Sequence, residues 1–250
     1  MSTQDADTSW AAAPSDLTLD HGQVHLWRVV LDAPRDVLDR LRATLTARET
    51  AQADRFASRE HRRWFVVRRG ALRAILARYL HTAPGDVNFT FGHHGKPALV
   101  HDSDGQLQFN LSDSGPLAVI AVTQGRAIGV DIEHVRPGRA EEAIARRFFS
   151  TAECDALASL PAGQRQAAFF DCWTRKEAYI KARGEGLALP LDCFQVSIKP
   201  GQPAALLHSN EGPAETQRWA MRAIHPAHGF AGCLAVEGNG WQLHCWDWSC

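Results

Sequence analysis

Two long stretches of helical apolar spacing, residues 60–80 and 166–183, stand in a chain whose other segments read mostly as short strands. In the first, Phe65, Leu72, Ile75, Leu76 and Tyr79 form a stripe that has to be buried, while Arg62, Arg63, Arg68, Arg69, Arg73 and Arg78 cover much of the remaining surface. After each long helix a glycine-containing loop leads into an apolar run, Gly95-Lys96-Pro97-Ala98-Leu99 and Gly184-Glu185-Gly186-Leu187-Ala188-Leu189. Strand signals fall at 25–31, 87–91, 106–111, 117–122 and 126–133, and again at 193–198, 218–224, 232–236 and 241–246. Shorter helices are expected at 36–45, 140–149 and 151–159, the last with Ser150 as its N-cap. Interspersed rather than alternating elements predict an α+β fold, not a doubly wound parallel sheet. One long helix and several strands, occurring twice, hint at a pseudo-dimer of two similar α+β halves, 17–124 and 125–250, after a frayed tail over 1–16.

Charge and composition narrow the partners. With 27 Lys and Arg against 28 Asp and Glu, the chain of 250 residues has no basic field, so charge implies no nucleic-acid partner. No apolar run approaches the roughly 20 residues that cross a bilayer, so no membrane partner is expected. Cys154, Cys172, Cys193, Cys233, Cys245 and Cys250 show no CxxC spacing; in a chain this long they read as reduced thiols of a cytoplasmic protein. The twelve histidines contain no HExxH pattern and predict no zinc site. Trp246 and Trp248, two residues apart on a strand, predict one buried face.

The strongest chemical signal is Gly129-Val130-Asp131-Ile132-Glu133. Strand alternation turns Val130 and Ile132 into the core and puts Asp131 and Glu133 on the opposite face, about 7 Å apart. Two carboxylates facing one way repel unless a cation or proton lies between them, and oxygen ligands suit a hard ion such as Mg²⁺. A strand face with two solvated acids would read the same way. The second signal is Cys172-Trp173-Thr174-Arg175-Lys176-Glu177-Ala178-Tyr179-Ile180-Lys181-Ala182. Trp173, Glu177 and Lys181 share a helix face, and the tryptophan predicts that this face is partly out of water. Together the segments offer three acids for one metal and a lysine one turn further on, a set suited to displacement at phosphorus.

At these residues the chain resembles the two-half, monomeric class of 4′-phosphopantetheinyl transferases, the surfactin-synthetase-activating type. The similar segments are HGKPAL at 94–99, FNLSDS at 109–114, GVDIE at 129–133, RRFFSTAE at 146–153 and FFDCWTRKEAYIKARGEGLALPL at 169–191. The resemblance implies that a serine of an apo acyl, peptidyl or aryl carrier protein attacks the β-phosphate of coenzyme A, releasing adenosine 3′,5′-bisphosphate. It further implies Mg²⁺ on Asp131, Glu133 and Glu177, with Glu177 or Glu153 handling the serine proton. Lys181 would sit against the pyrophosphate and leaving oxygen, and Ser112 would donate to a phosphate. Gly95, Lys96 and Pro97 would border the adenine, and Arg48, Arg55, Arg62 or Arg63 would grip the 3′-phosphate. The helix after Pro137, with Arg139, Arg146 and Arg147, would meet an acidic carrier surface.

One residue departs from the family pattern. Asp113 stands where the family usually has a phosphate-contacting histidine, so it either turns away, is protonated, makes a metal or water contact, or weakens the donor. Two rival readings remain: a Mg²⁺-dependent phosphohydrolase or nuclease, and a coenzyme-A- or carrier-binding module with weakened chemistry.

Overall fold

The computed structural model describes residues 9–100, 106–136 and 141–249. The first half runs β1 (Ala11–Ala12), β2 (Gln23–Val30), α1 (Arg35–Arg42), α2 (Ala47–Asp54), α3 (Arg59–Leu80), β3 (Phe89–Phe91), β4 (Pro97–Leu99), β5 (Leu107–Ser114) and β6 (Leu117–Gln124). The second runs β7 (Ile128–His134), α4 (Glu141–Phe148), α5 (Thr151–Ser159), α6 (Ala162–Arg183), β8 (Phe194–Val196), β9 (Leu206–Ser209), α7 (Pro213–Arg218), β10 (Trp219–Ala223), β11 (Phe230–Glu237) and β12 (Gln242–Asp247). The mixture is α+β, as the interspersed elements predict.

Four layers result. A sheet of order β1-β12-β2-β6-β5 carries α3 on one face, and a sheet of order β10-β11-β7 carries α6 on one face. The other faces pack against each other: Val24, Leu26, Val119 and Ala121 from the first sheet meet Val130, Ile132, Leu234 and Val236 from the second. Strand β6, Leu-Ala-Val-Ile-Ala-Val-Thr-Gln, is apolar almost without alternation because both of its faces are covered. Such burial contributes roughly 1.5–3 kcal/mol per large aliphatic side chain.

Several details differ from expectation. Helix α2 is absent from the apolar periodicity, yet it opens with a capping box in which Thr46 and Glu49 exchange hydrogen bonds. Part of the expected tail is ordered: Ala11 and Ala12 pair in parallel with Trp246 and Asp247, which satisfies their backbone groups. The boundary near 124 falls between β6 and β7, but β12 crosses back and pairs in parallel with β2, so 125–250 is not a self-contained half. Trp246 and Trp248 pack against the first-half core. The thiols of Cys154, Cys172, Cys193, Cys233 and Cys245 are free, and Cys250 lies outside the described residues. Among the described residues, no helix is long and apolar enough to cross a membrane.

Candidate active site

The site lies where β5 of the first half runs beside β7 of the second. No backbone ladder joins these strands; side chains do so instead. Asn110, Ser112 and Ser114, alternate residues on one face of β5, accept from the amides of Val130 at 2.9 Å, Ile132 at 3.3 Å and His134 at 3.0 Å. On β7 the expected alternation holds: Ile128, Val130 and Ile132 enter the inter-sheet core, leaving Gly129, Asp131 and Glu133 to face α6. Gly129 sets the spacing. A Cβ there would lie 2.1 Å from the Ala178 carbonyl oxygen and 2.3 Å from the Ala182 nitrogen, so only glycine lets α6 approach this closely.

The helix side follows from which residues of α6 are buried. Thr174, Arg175, Lys176, Ala178, Tyr179 and Ile180 are buried, whereas Trp173, Glu177 and Lys181 form a partly open stripe. Trp173 stacks on Phe169, with ring centroids 6.3 Å apart. The Lys181 ammonium donates to Asp131 Oδ1 at 2.6 Å and to Ser112 Oγ at 3.1 Å. Ser112 Oγ donates to the same Asp131 oxygen at 2.8 Å, and Ser114 Oγ donates to Glu133 Oε2 at 2.9 Å.

Electrostatics mark the cluster as under-neutralised. Burial pushes the Glu177 carboxyl up to about 7, and the nearby Asp131 and Glu133 charges push the same way against Lys181. Burial also pushes Asp131 up against the pull of Lys181 and Ser112. Asp131 is 5% exposed, and its Oδ2 is buried without a hydrogen-bond partner. An orphaned buried carboxylate oxygen next to two further carboxylates fits a hard cation with oxygen ligands. As the side chains stand, no trio of His, Cys, Asp or Glu among the described residues closes on one point. The other Asp131 oxygen is turned to Lys181 and Ser112, and Glu133 is held by Ser114.

Beside the acids a cavity of about 220 Å³ opens between the halves, with His94, Gly95, Lys96 and Pro97 on one wall and Ile180, Lys181, Gly184 and Gly186 on the other. The Lys96 ammonium crosses it to donate to the Ile128 carbonyl at 2.9 Å and the Ala182 carbonyl at 3.2 Å; burial lowers it to about 8.

Two family descriptions match the chain. Residues 127–234 fit the 4′-phosphopantetheinyl transferase superfamily, and residues 33–125 fit the 4′-phosphopantetheinyl transferase N-terminal domain. The chain is 42% identical over 241 residues to 4′-phosphopantetheinyl transferase HetI of Nostoc sp. (strain PCC 7120), covering 96% of this chain and 98% of that protein. The chain belongs to the 4′-phosphopantetheinyl transferase family. Similarity extends to 4′-phosphopantetheinyl transferase Sfp of Bacillus subtilis (strain 168), 28% identical with 84% and 92% of the two chains covered. Among solved structures, the Chronobacterium ammoniagenes ACPS-CoA complex superposes with a TM-score of 0.35 at 22% identity, over 46% of this chain and 98% of that one. By its family and its named relatives, the transferase transfers phosphopantetheine to carrier proteins.

Within the transferase, Glu153, one of the two bases expected from the sequence, is buried among structural contacts. It is 3% exposed, on the other side of α6. Its oxygens accept from the Ser150 amide at 2.9 Å, the Val196 amide at 2.8 Å and the Lys176 ammonium at 2.7 Å. Both of its oxygens are thus engaged by structural partners. Arg48 and Arg55 are exposed on α2 and its C-cap, and Arg62 donates to the Phe56 carbonyl at 3.1 Å; no hydrogen bond links these three to the cleft. Asp113 forms an ion pair with Arg68 of α3, and its charge adds a small upward push on Asp131. Lys96 spends its charge on backbone carbonyls rather than leaving it free in the cleft. Arg146 pairs with Glu142 at 2.5 Å and Arg147 lies over the Phe148 ring, while Arg139 lies outside the described residues. Sequence reasoning missed Asn110, Ser114 and Arg68. The first two were visible as alternate polar residues in Asn110-Leu111-Ser112-Asp113-Ser114; Arg68 carried no local signal.

Proposed function

We propose that the cleft between the halves binds coenzyme A as donor and that a carrier-protein serine enters beside Glu177. What supports this is that Asp131, Glu133 and Glu177 lie near enough to raise the Glu177 carboxyl, while Lys181 and Ser112 hold one Asp131 oxygen and leave the other buried without a partner. Asp131, Glu133 and Glu177 would hold Mg²⁺, which when bound would neutralise charge on the pyrophosphate oxygens. Lys181, pre-aimed by Asp131 and Ser112, sits against the pyrophosphate and stabilises the leaving oxygen. Glu177 takes the proton from the incoming serine hydroxyl, directly or through one water. The new bond joins the serine oxygen to the β-phosphorus, the phosphoanhydride bond breaks, and adenosine 3′,5′-bisphosphate leaves with its electron pair.

Gly95, the Lys96 stem and Pro97 border the adenine. The Lys96 ammonium braces the two walls by satisfying Ala182, one of the last carbonyls of α6. Ser112 offers its hydroxyl to a donor phosphate once Asp131 is otherwise engaged. The enzyme works as a monomer, since both walls come from one chain. Incubation with an apo carrier, coenzyme A and Mg²⁺ tests the reading: the carrier should gain the mass of one phosphopantetheine. Asp131→Asn should retain its fold and transfer about 100-fold more slowly. Full transfer by that variant would remove Asp131 from the chemistry.

A further inference from the structure

The seam between β5 and β7 has a regular rule. Three alternate polar residues on one face of β5 each accept from the amide twenty positions later, 110 to 130, 112 to 132 and 114 to 134. At the two serine rungs the hydroxyl also donates to the carboxylate one residue before that amide, Ser112 to Asp131 and Ser114 to Glu133. At the third rung the residue before the amide is Gly129, which has no side chain to receive a proton, and β5 there carries asparagine. Residue type on one strand thus follows residue type on the other.

The chemistry of a hydroxyl explains the choice. It has one proton and two acceptor sites. Once the β7 amide takes an acceptor site, the proton is free to point at the neighbouring carboxylate, and the amide bond fixes the oxygen it points from. An asparagine at every rung would stitch the strands equally well, as Asn110 does, so stitching alone does not explain the serines.

Glu133 gains most from this. It is less buried than Asp131 and has one more side-chain torsion to lose, so packing restrains it less.

We propose that Ser114 is a positioning residue for Glu133, anchoring Oε2 so that the carboxylate turns its other oxygen to a metal, as Ser112 anchors Asp131 Oδ1 and leaves Oδ2 to it. The inference rests on the reading that Asp131, Glu133 and Glu177 form the metal site. Groups that orient metal-ligating side chains change affinity by roughly 10–100-fold when removed.

The test is Mn²⁺ binding to the full chain without coenzyme A, followed by electron paramagnetic resonance. Ser114→Ala should weaken Mn²⁺ binding about tenfold, and Ser114→Thr, which keeps the hydroxyl, should restore it to within about threefold of wild type. Glu133→Ala serves as the reference loss. If Glu133→Ala loses binding while Ser114→Ala matches wild type, the Ser114 role is overturned and the metal site stands. If Glu133→Ala also matches wild type, the metal site itself is wrong and the inference falls with it. Equal losses in the Ala and Thr variants would assign the effect to side-chain shape and overturn the hydroxyl role. Should Ser114→Ala fail to fold, Ser114→Cys, a weak donor, takes its place with the same expected loss.

Discussion

The two long helices can be laid side by side. Both α3 and α6 span 22 residues, and in each the fifteenth residue is a buried cation, Arg73 or Lys176. Arg73 pairs with Glu49 at 2.8 Å and Lys176 with Glu153 at 2.7 Å. Each glutamate is the third residue of a capping box that opens the short helix before it. Each cation also donates to backbone carbonyls beyond its helix, that of Val87 or those of Leu191 and Phe194. The device that fastens helix to fold is thus built twice.

What the helices show to the strand beneath them differs. Under α3, Tyr79 accepts from Trp27 and bonds His25 in a mostly aromatic contact. Under α6 the corresponding space holds Asp131, Glu133, Glu177 and Lys181. By position along the helix, Glu177 answers to Ala74 and Lys181 to Arg78, whose guanidinium lies over Trp27. The scaffold is repeated and the chemistry is placed on one copy.

The contrast breaks first at Gly129. Gly129→Ala drives a methyl into the backbone of α6; transfer should fall below about 1% of wild type and melting by more than about 10 °C. Gly70→Ala meets Leu41 at its Cβ, 2.7 Å from the added carbon, so α1 has to shift; it should cost less than Gly129→Ala, whose clash is with helix backbone at 2.1 Å. Next come the buried pairs. Lys176→Met strands the buried Glu153 and should cost about 3–5 kcal/mol in a denaturant titration, and Arg73→Met should cost less because Arg69 still pairs with Glu49 at 3.0 Å. Glu153→Gln, assayed where it remains folded, should keep kcat within a few-fold; a hundredfold fall would return Glu153 to the chemistry.

A smaller effect separates the halves by function. Asp131→Asn should lower kcat/KM by about 100-fold, roughly 2.7 kcal/mol, with little change in melting, whereas Arg78→Ala should leave kcat/KM within about twofold.

The smallest contrast is in pH dependence. Burial lowers His25 to about 4, so its contribution is present above the usual 6.5 and is lost as pH falls toward 4. Glu177 is raised to about 7, so its contribution is present below 4.5 and is lost as pH rises through 7. Melting of the metal-free chain across this range should show opposing slopes, the acid-side slope removed in His25→Gln and the neutral-side slope in Glu177→Gln. Matching slopes in both variants would mean that neither group titrates as described.

Features that repeat along the chain were legible in advance: the face shared by Asp131 and Glu133, and the stripe of Trp173, Glu177 and Lys181. Lys176 and Lys181 look alike in sequence, and the stripe drawn from Trp173 separated them. Ser150-Thr151-Ala152-Glu153 spells a capping box, a structural use of that carboxylate readable from the sequence. The same signal, Thr46 with Glu49, would have revealed α2. Gly129 gave no warning, because a glycine in a strand looks the same whether solvent or a helix lies above it. The Asp113–Arg68 pair and the return of β12 depend on residues far apart in the chain, which local pattern does not encode.

That return also bears on synthesis. Strand β12 sits between β1 and β2, so while residues 242–247 are still inside the ribosome, Gln23–Val30 presents an open edge to the surroundings. A nascent chain stalled at that stage could borrow the missing strand from another copy, and the aggregation this invites should fade as the last residues emerge.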